Sequence, residues 1–207
     1  MSIVTYNNRS IANISAIPGT AKSLTHIKTL TASSSSTLDF LNGSDDVVFD
    51  STYPIYMFKY INVHPATNQV NFQFQVDTGT NTNYNITCTS STFRARHDED
   101  GSDGALAYRT QDDQAQGTSF QRLVGNITNG NDESGSGELF LFNPSSTTFV
   151  KHFISKGNCH YNTNSSLLVY HVAGYFNTTT ALTRIRFKMS SGNTDAGTIK
   201  MYGIKDS

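Results

Sequence analysis

A chain of 207 residues with a formal net charge of −1 has no general attraction to a phosphate backbone. No long Lys/Arg run supplies one locally, so nucleic acid is not an expected partner. Charged residues make up only 15% and apolar residues 36%, with Ser, Thr, Asn and Gly filling much of the rest, which excludes a disordered chain and fits a many-turned β protein better than a helical one. No stretch approaches the ~20 apolar residues that span a bilayer, and the start MSIVTYNNRSIANIS lacks the charged end, apolar core and cleavage site of a signal peptide; synthesis as a soluble cytoplasmic chain with no membrane partner is the expectation.

Residues 1–22 are polar, carry Pro18-Gly19 and show no clear period. They read as an extended N-terminal arm, with Tyr6, Asn7, Asn8, Arg9, Ile11, Ile14 and Ile17 as the residues expected to dock on a neighbour; a frayed terminus is the alternative. Residues 23–207 read as one domain. A chain of this size buries roughly 70% of the surface that its unfolded form exposes, so one core suffices.

Strand signals then follow at short intervals: Leu24 to Thr31, Thr37 to Leu41, Ile55 to Val63, Val70 to Val76 and Tyr84 to Phe93. In Val70-Asn-Phe-Gln-Phe-Gln-Val76 the apolar residues Val70, Phe72, Phe74 and Val76 share one face, a pattern that would scatter around a helix. His64-Pro65-Ala66-Thr67-Asn68 before it reads as a turn joining paired neighbours. Residues 97–137 hold three acidic or amide-rich runs around the short apolar pieces Ala105 to Tyr108 and Phe120 to Val124, and read as long surface loops.

Glu138 to Phe142 and Thr148 to Ser155 flank Asn143-Pro144-Ser145-Ser146, a turn with proline at its first corner. Leu167 to Phe176, Leu182 to Met189 and Thr198 to Ile204 complete the set, the last two read as a closing hairpin. About ten short strands without a long helical period predict an all-β fold, an antiparallel β-sandwich of jelly-roll type.

The common catalytic signatures are absent: there is no G-x-S-x-G, no G-x-x-x-x-G-K, no H-E-x-x-H and no G-x-G-x-x-G. No enzymatic activity, catalytic residue or cofactor is expected. Asp98, Asp100 and Asp103 in HDEDGSDG are the weak candidate calcium ligands, carboxylates at near-alternate positions with an early glycine, but the spacing departs from an EF-hand, the closing glutamate is lacking, and a solvated acidic loop is the favoured reading. Cys159-His160 with His152 or His171 has only one thiol nearby and fits no standard zinc spacing. Cys88 and Cys159 read as two reduced, buried or half-buried thiols. Arg184, Arg186 and Lys188 alternate with Ile185, Phe187 and Met189, giving a charged outward stripe that could face an acidic partner or only keep the sheet soluble.

Phe142 to Phe153 (FNPSSTTFVKHF) and Phe187 to Ile204 (FKMSSGNTDAGTIKMYGI) resemble segments of a structural module recurrent in tailed bacteriophages, marine ones especially. The resemblance extends to KTLTASSSSTL at 28–38, DSTY at 50–53, FKYINVHPAT at 58–67, AYRTQDDQAQG at 107–117 and AGYFNTT at 173–179. It departs at Val47-Val48-Phe49 and at Arg94-Ala95-Arg96. It implies a virion structural protein made in the host bacterial cytoplasm, with no catalytic residues to carry over. A capsid decoration protein of the cement or head-fibre kind is expected, displayed as a homo-oligomer, with trimers suiting three-fold capsid positions, and with major capsid or tail proteins as partners. The alternative is a tail-fibre or adhesin module that recognises a host-surface glycan or protein through the loops of 97–137.

Overall fold

In a computed structural model, which describes residues 23–161 and 165–205, these residues form thirteen strands. They are β1 (Leu24–Thr31), β2 (Leu38–Leu41), β3 (Ile55–Pro65), β4 (Val70–Thr78), β5 (Cys88–Asp98), β6 (Gly104–Tyr108), β7 (Gln114–Gly117), β8 (Gln121–Ile127), β9 (Gly135–Phe142), β10 (Lys151–Tyr161), β11 (Ser166–Phe176), β12 (Leu182–Met189) and β13 (Thr194–Ile204). Two antiparallel sheets pack face to face as a β-sandwich. The larger runs β1-β13-β3-β9-β10-β11-β5-β6, with β7 also on β5; the smaller runs β2-β12-β4-β8.

Alternation builds both sheets. Along β10 every second side chain from Lys151 to Cys159 is buried and those between are exposed, because successive strand residues point to opposite faces. The buried faces meet in an aromatic core. Phe58 and Tyr60 of β3 and Phe153 and Phe176 of β10 and β11 face Phe40, Phe72, Phe74 and Phe187 of the smaller sheet. Ring centroids lie 5.1 Å apart for Phe74 and Phe153, 5.3 Å for Phe40 and Phe58, and 5.5 Å for Phe58 and Phe187. Phe187 touches rings from β2, β3 and β4.

Two pairings differ from the sequence reading. β3 and β4 are not neighbours: the chain leaves β3 at Pro65, reverses through residues 66–69 with Gln69 at φ 57°, and enters the other sheet. Likewise β12 and β13 belong to different sheets, so the C-terminal pair is an arch over the core rather than a hairpin. Tyr60 of β3 and Phe72 of β4 meet across the sandwich at 5.3 Å, and the buried residues of β12 and β13 belong to the same core. The Asn143–Ser146 turn does join paired strands, with Ser146 N–H donating to Asn143 C=O at 3.0 Å.

Residues 97–137 are not long loops. They contain β6, β7 and β8 and the start of β9, and place Leu123, Val124 and Ile127 in the core. Asp112 and Gln121 are buried there too. The Asp112 carboxylate pairs with Arg122 and, at 3.4 Å, with Arg109, while its carbonyl accepts from Thr92 Oγ1 and from Gln121 Nε2.

Gly157 of β10 is closely covered by Tyr60 of its own sheet and by Val124 of the other. The ring of Tyr60 lies buried over Gly137 and Gly157, and a Cβ on Gly157 would overlap the Tyr60 hydroxyl and come within 2.8 Å of Val124 Cγ1. Gly157→Val is expected to destabilise by about 1–3 kcal/mol or more, since overpacking forces fixed neighbours to move. Urea unfolding beside Gly157→Ala checks it: the loss should grow with side-chain size. Equal stability of all three chains would mean that the layers are not in contact there.

Candidate interaction surface

The smaller sheet's outward face is closed by the chain itself. Gln75 Nε2 donates to the carbonyls of Ile86 and Ser119, each at 3.1 Å, and the Asp77 carboxylate accepts from Thr78 N–H and Tyr84 N–H at 2.9 and 2.8 Å. These bonds tie the β4–β5 connection and residue 119 down over β4. Tyr84 and Phe120 then cover the charged stripe of β12. Arg186 stacks on Tyr84 at 4.1 Å and makes a two-pronged ion pair with Asp39 at 2.7 Å, and Lys188 sits 4.9 Å above Phe120. The acidic partner anticipated for this stripe is the protein's own Asp39.

The larger sheet's outward face has no such cover among the described residues. Register across the strands sorts it into rows. One row carries Tyr202, Met57, Phe140, Ile154 and Ala173, with Ile55, Ile204 and Tyr175 beside it. The next carries Lys200, Lys59, Glu138, Lys156 and His171 and ends on the exposed ring pair Phe93 and Tyr108, whose centroids are 5.6 Å apart. Ile154 is 52% and Leu106 77% exposed. Two shallow depressions indent the face. One of about 540 Å³ lies over Gly174 between Phe142, His152, Ile154 and Tyr175; the other, of about 460 Å³, lies between Lys59, Ile61, Glu138 and Lys156.

No protein-family model, curated protein or solved structure matches the chain.

The remaining chemical groups are held by local partners. Asp98 is buried at the end of β5, where it accepts from Ser166 Oγ at 2.6 Å and lies 3.5 Å from Arg96 Nε. Asp103 pairs with Arg96, and the Asp100 carboxyl is held below the ordinary range by the Ser102 hydroxyl and then by Ser102 N–H, which donates to it at 2.8 Å. Asp98 and Asp103 thus share Arg96 while Asp100 holds its own turn, and no group of three or more His, Cys, Asp or Glu side chains that could hold a metal occurs among the described residues. Cys159 points into the core, whereas His152 and His171 are exposed on the opposite face of the sheet, so the zinc alternative has no shared centre. Tyr6, Asn7, Asn8, Arg9, Ile11, Ile14 and Ile17 lie outside the described residues.

Three polar features escaped the sequence. His160 lies between Glu133, at 3.2 Å, and Glu99, at 3.8 Å, at one end of the sandwich. Burial would raise the Glu133 carboxyl, but Thr128, the Gly130 N–H and His160 together hold it below the usual range, so it stays a carboxylate fastening the turn at 130–133. Lys151 is fully buried and its ammonium donates to the carbonyls of Phe149 and Thr178 at 2.7 and 3.2 Å; burial lowers its pKa. The third is the Asp112 network. Only the periodic position of Lys151 among the buried residues of β10 carried any sequence signal.

Cys88 and Cys159 are both buried and free, and burial pushes each thiol up to about 12 from an ordinary 9.0. The folded chain therefore keeps protons that the unfolded chain releases above about pH 9. Stability is full below that pH and falls as pH rises toward 12, by up to about 1.4 kcal/mol per pH unit per thiol. Urea unfolding between pH 8 and 9, below the range in which tyrosines ordinarily ionise, should show the onset of this decline. The Cys88→Ala, Cys159→Ala variant should show a shallower one, and equal slopes would mean that the thiols are not buried in the fold.

Proposed function

We propose that this chain is a non-enzymatic structural protein of a tailed-bacteriophage virion, a capsid decoration protein displayed as a homo-oligomer. The observation that carries the reading is the outward face of the larger sheet, a broad array of aromatic, aliphatic and lysine side chains with only shallow depressions. Such a surface suits a flat protein contact better than a small substrate, which needs concave enclosure. The segments at Phe142–Phe153 and Phe187–Ile204, similar to those of phage structural modules, support the virion setting. They also form framework: the first contains the β9–β10 turn and the second the arch from β12 to β13.

In this reading the outward face meets other subunits, and residues 1–22 supply the contact to major capsid or tail proteins. The experiment is co-sedimentation of purified chain with particles that lack it. The full chain is expected to bind, and the chain lacking residues 1–22 to fold but remain in the supernatant. Binding of neither contradicts the reading, and equal binding of both removes the arm from it. Recognition of a host glycan through loops at 97–137 is the weaker proposal, because that region is mostly strand.

A further inference from the structure

One edge of the larger sheet, the one at β6, is an unguarded strand. β6, Gly104-Ala105-Leu106-Ala107-Tyr108, pairs with β5 along one side, and no strand covers its other side among the described residues. Protein edges are normally blunted by lysine, proline or a bulge. β6 has none of these: it is uncharged and runs in unbroken register with β5. Leu106 is the most exposed of its large apolar residues at 77%, and Tyr108 beside it is 49% exposed.

Hydrogen bonds at the two ends of β6 fix which backbone groups are free. Arg109 N–H donates to Thr92 C=O at 2.9 Å, and Asp98 N–H donates to Asp103 C=O at 3.0 Å. Such exchanges recur at every second residue of an antiparallel pair. Ala105 and Ala107 therefore bond to β5, and the N–H and C=O groups of Gly104, Leu106 and Tyr108 point away from it.

We propose that β6 pairs with β6 of a second copy of this chain, antiparallel, about a two-fold axis at Leu106. In that register Leu106 meets Leu106 of the second copy, and Gly104 meets Tyr108 of the second copy, so every outward backbone group finds a partner. The strand is self-complementary when reversed. Its aromatic ring falls across from the residue with no side chain, its alanines oppose each other, and no like charges meet. Leu106, Tyr108 and Phe93 share the outward face, so the aromatic row continues from one copy to the next. The inference rests on the homo-oligomer part of the proposed function and names its contact. Five residue pairs make a small interface, so the dimer forms in a concentration-dependent way.

Sedimentation velocity of the full chain over a concentration series tests this. The parent is expected to move from the single-chain mass of 22.7 kDa toward twice that value. Leu106→Lys places two ammonium groups opposite each other and should hold the chain at the single mass, with an unchanged melting curve because Leu106 is exposed. Leu106→Cys, treated with oxidised glutathione, should cross-link two copies through residue 106, whereas the parent, with both thiols buried, should not. If Leu106→Lys keeps the parent's oligomeric mass and Leu106→Cys fails to cross-link, β6 pairing is overturned while the homo-oligomer stands. If the parent stays at the single mass throughout and Leu106→Cys fails to cross-link, both fall.

Discussion

Phe187→Ala is expected to lower the unfolding free energy by about 3–5 kcal/mol, the range for emptying a ring-sized site in a packed core. Phe187 is fully buried on β12 and stacks on Phe72 at 5.8 Å and Phe74 at 6.1 Å within its own sheet. It also meets Phe58 of the opposite sheet at 5.5 Å. The loss removes contacts from four rings at once, and β3, β4 and β12, each hydrogen-bonded on both sides, cannot collapse into the gap. Ile154→Ala on the outward face should change stability by less than about 0.5 kcal/mol, because that side chain is half exposed. Urea unfolding of both variants measures the contrast. A loss below about 1 kcal/mol for Phe187→Ala would mean that the two sheets do not meet through this ring.

Asp112→Ala tests the region that the sequence concealed. Its carboxylate has no exposed side-chain surface and joins Arg122 and Arg109, while the neighbouring Gln121 bonds to Ser90 Oγ at 2.6 Å and to the Asp112 carbonyl at 2.9 Å. Removing one member of a buried ion pair typically costs about 3–5 kcal/mol. Here Arg109 and Arg122 keep about a fifth of their side-chain surface in water, so the lower end of that range is expected. Asp113→Ala, one residue on, removes only an exposed contact with the Tyr108 hydroxyl and should cost little. Equal and small effects at both positions would return 109–122 to the surface loop that its composition suggests.

Alternation made much of the fold legible. Val70–Val76 and Leu182–Met189 lie within β4 and β12, with the apolar residues inward as their spacing requires. Which strands pair was less legible, because a dry face says that a strand is half buried and not which sheet it joins. Hence β3 and β4, and β12 and β13, read as neighbours in one sheet but lie in different sheets around one core. Polar composition misled in the other direction: Asp112 and Gln121 are buried because side chains and backbone satisfy them, and hydrophobicity carries no trace of such a network.

The candidate surface was the least readable. The stripe at Arg184–Lys188 looked free because its partners lie far off in sequence: Asp39 is 147 residues from Arg186, and Tyr84 and Phe120 arrive from separate connections. The outward rows of the larger sheet are assembled from seven strands, β13, β3, β9, β10, β11, β5 and β6, each contributing a few ordinary residues, so no single segment announces them. Ala105–Tyr108 reads as a short apolar run, but its role as a sheet edge depends on β5, which pairs with it only in the folded chain.

The measurement that bears most directly on a virion structural role is the number of copies of this chain per purified particle, relative to the major capsid protein, by quantitative mass spectrometry. A fixed stoichiometric ratio near that of the capsid lattice is the predicted result. Absence from washed particles would contradict the account, and a few copies per particle would move the chain from the head to the tail and make host recognition its leading role.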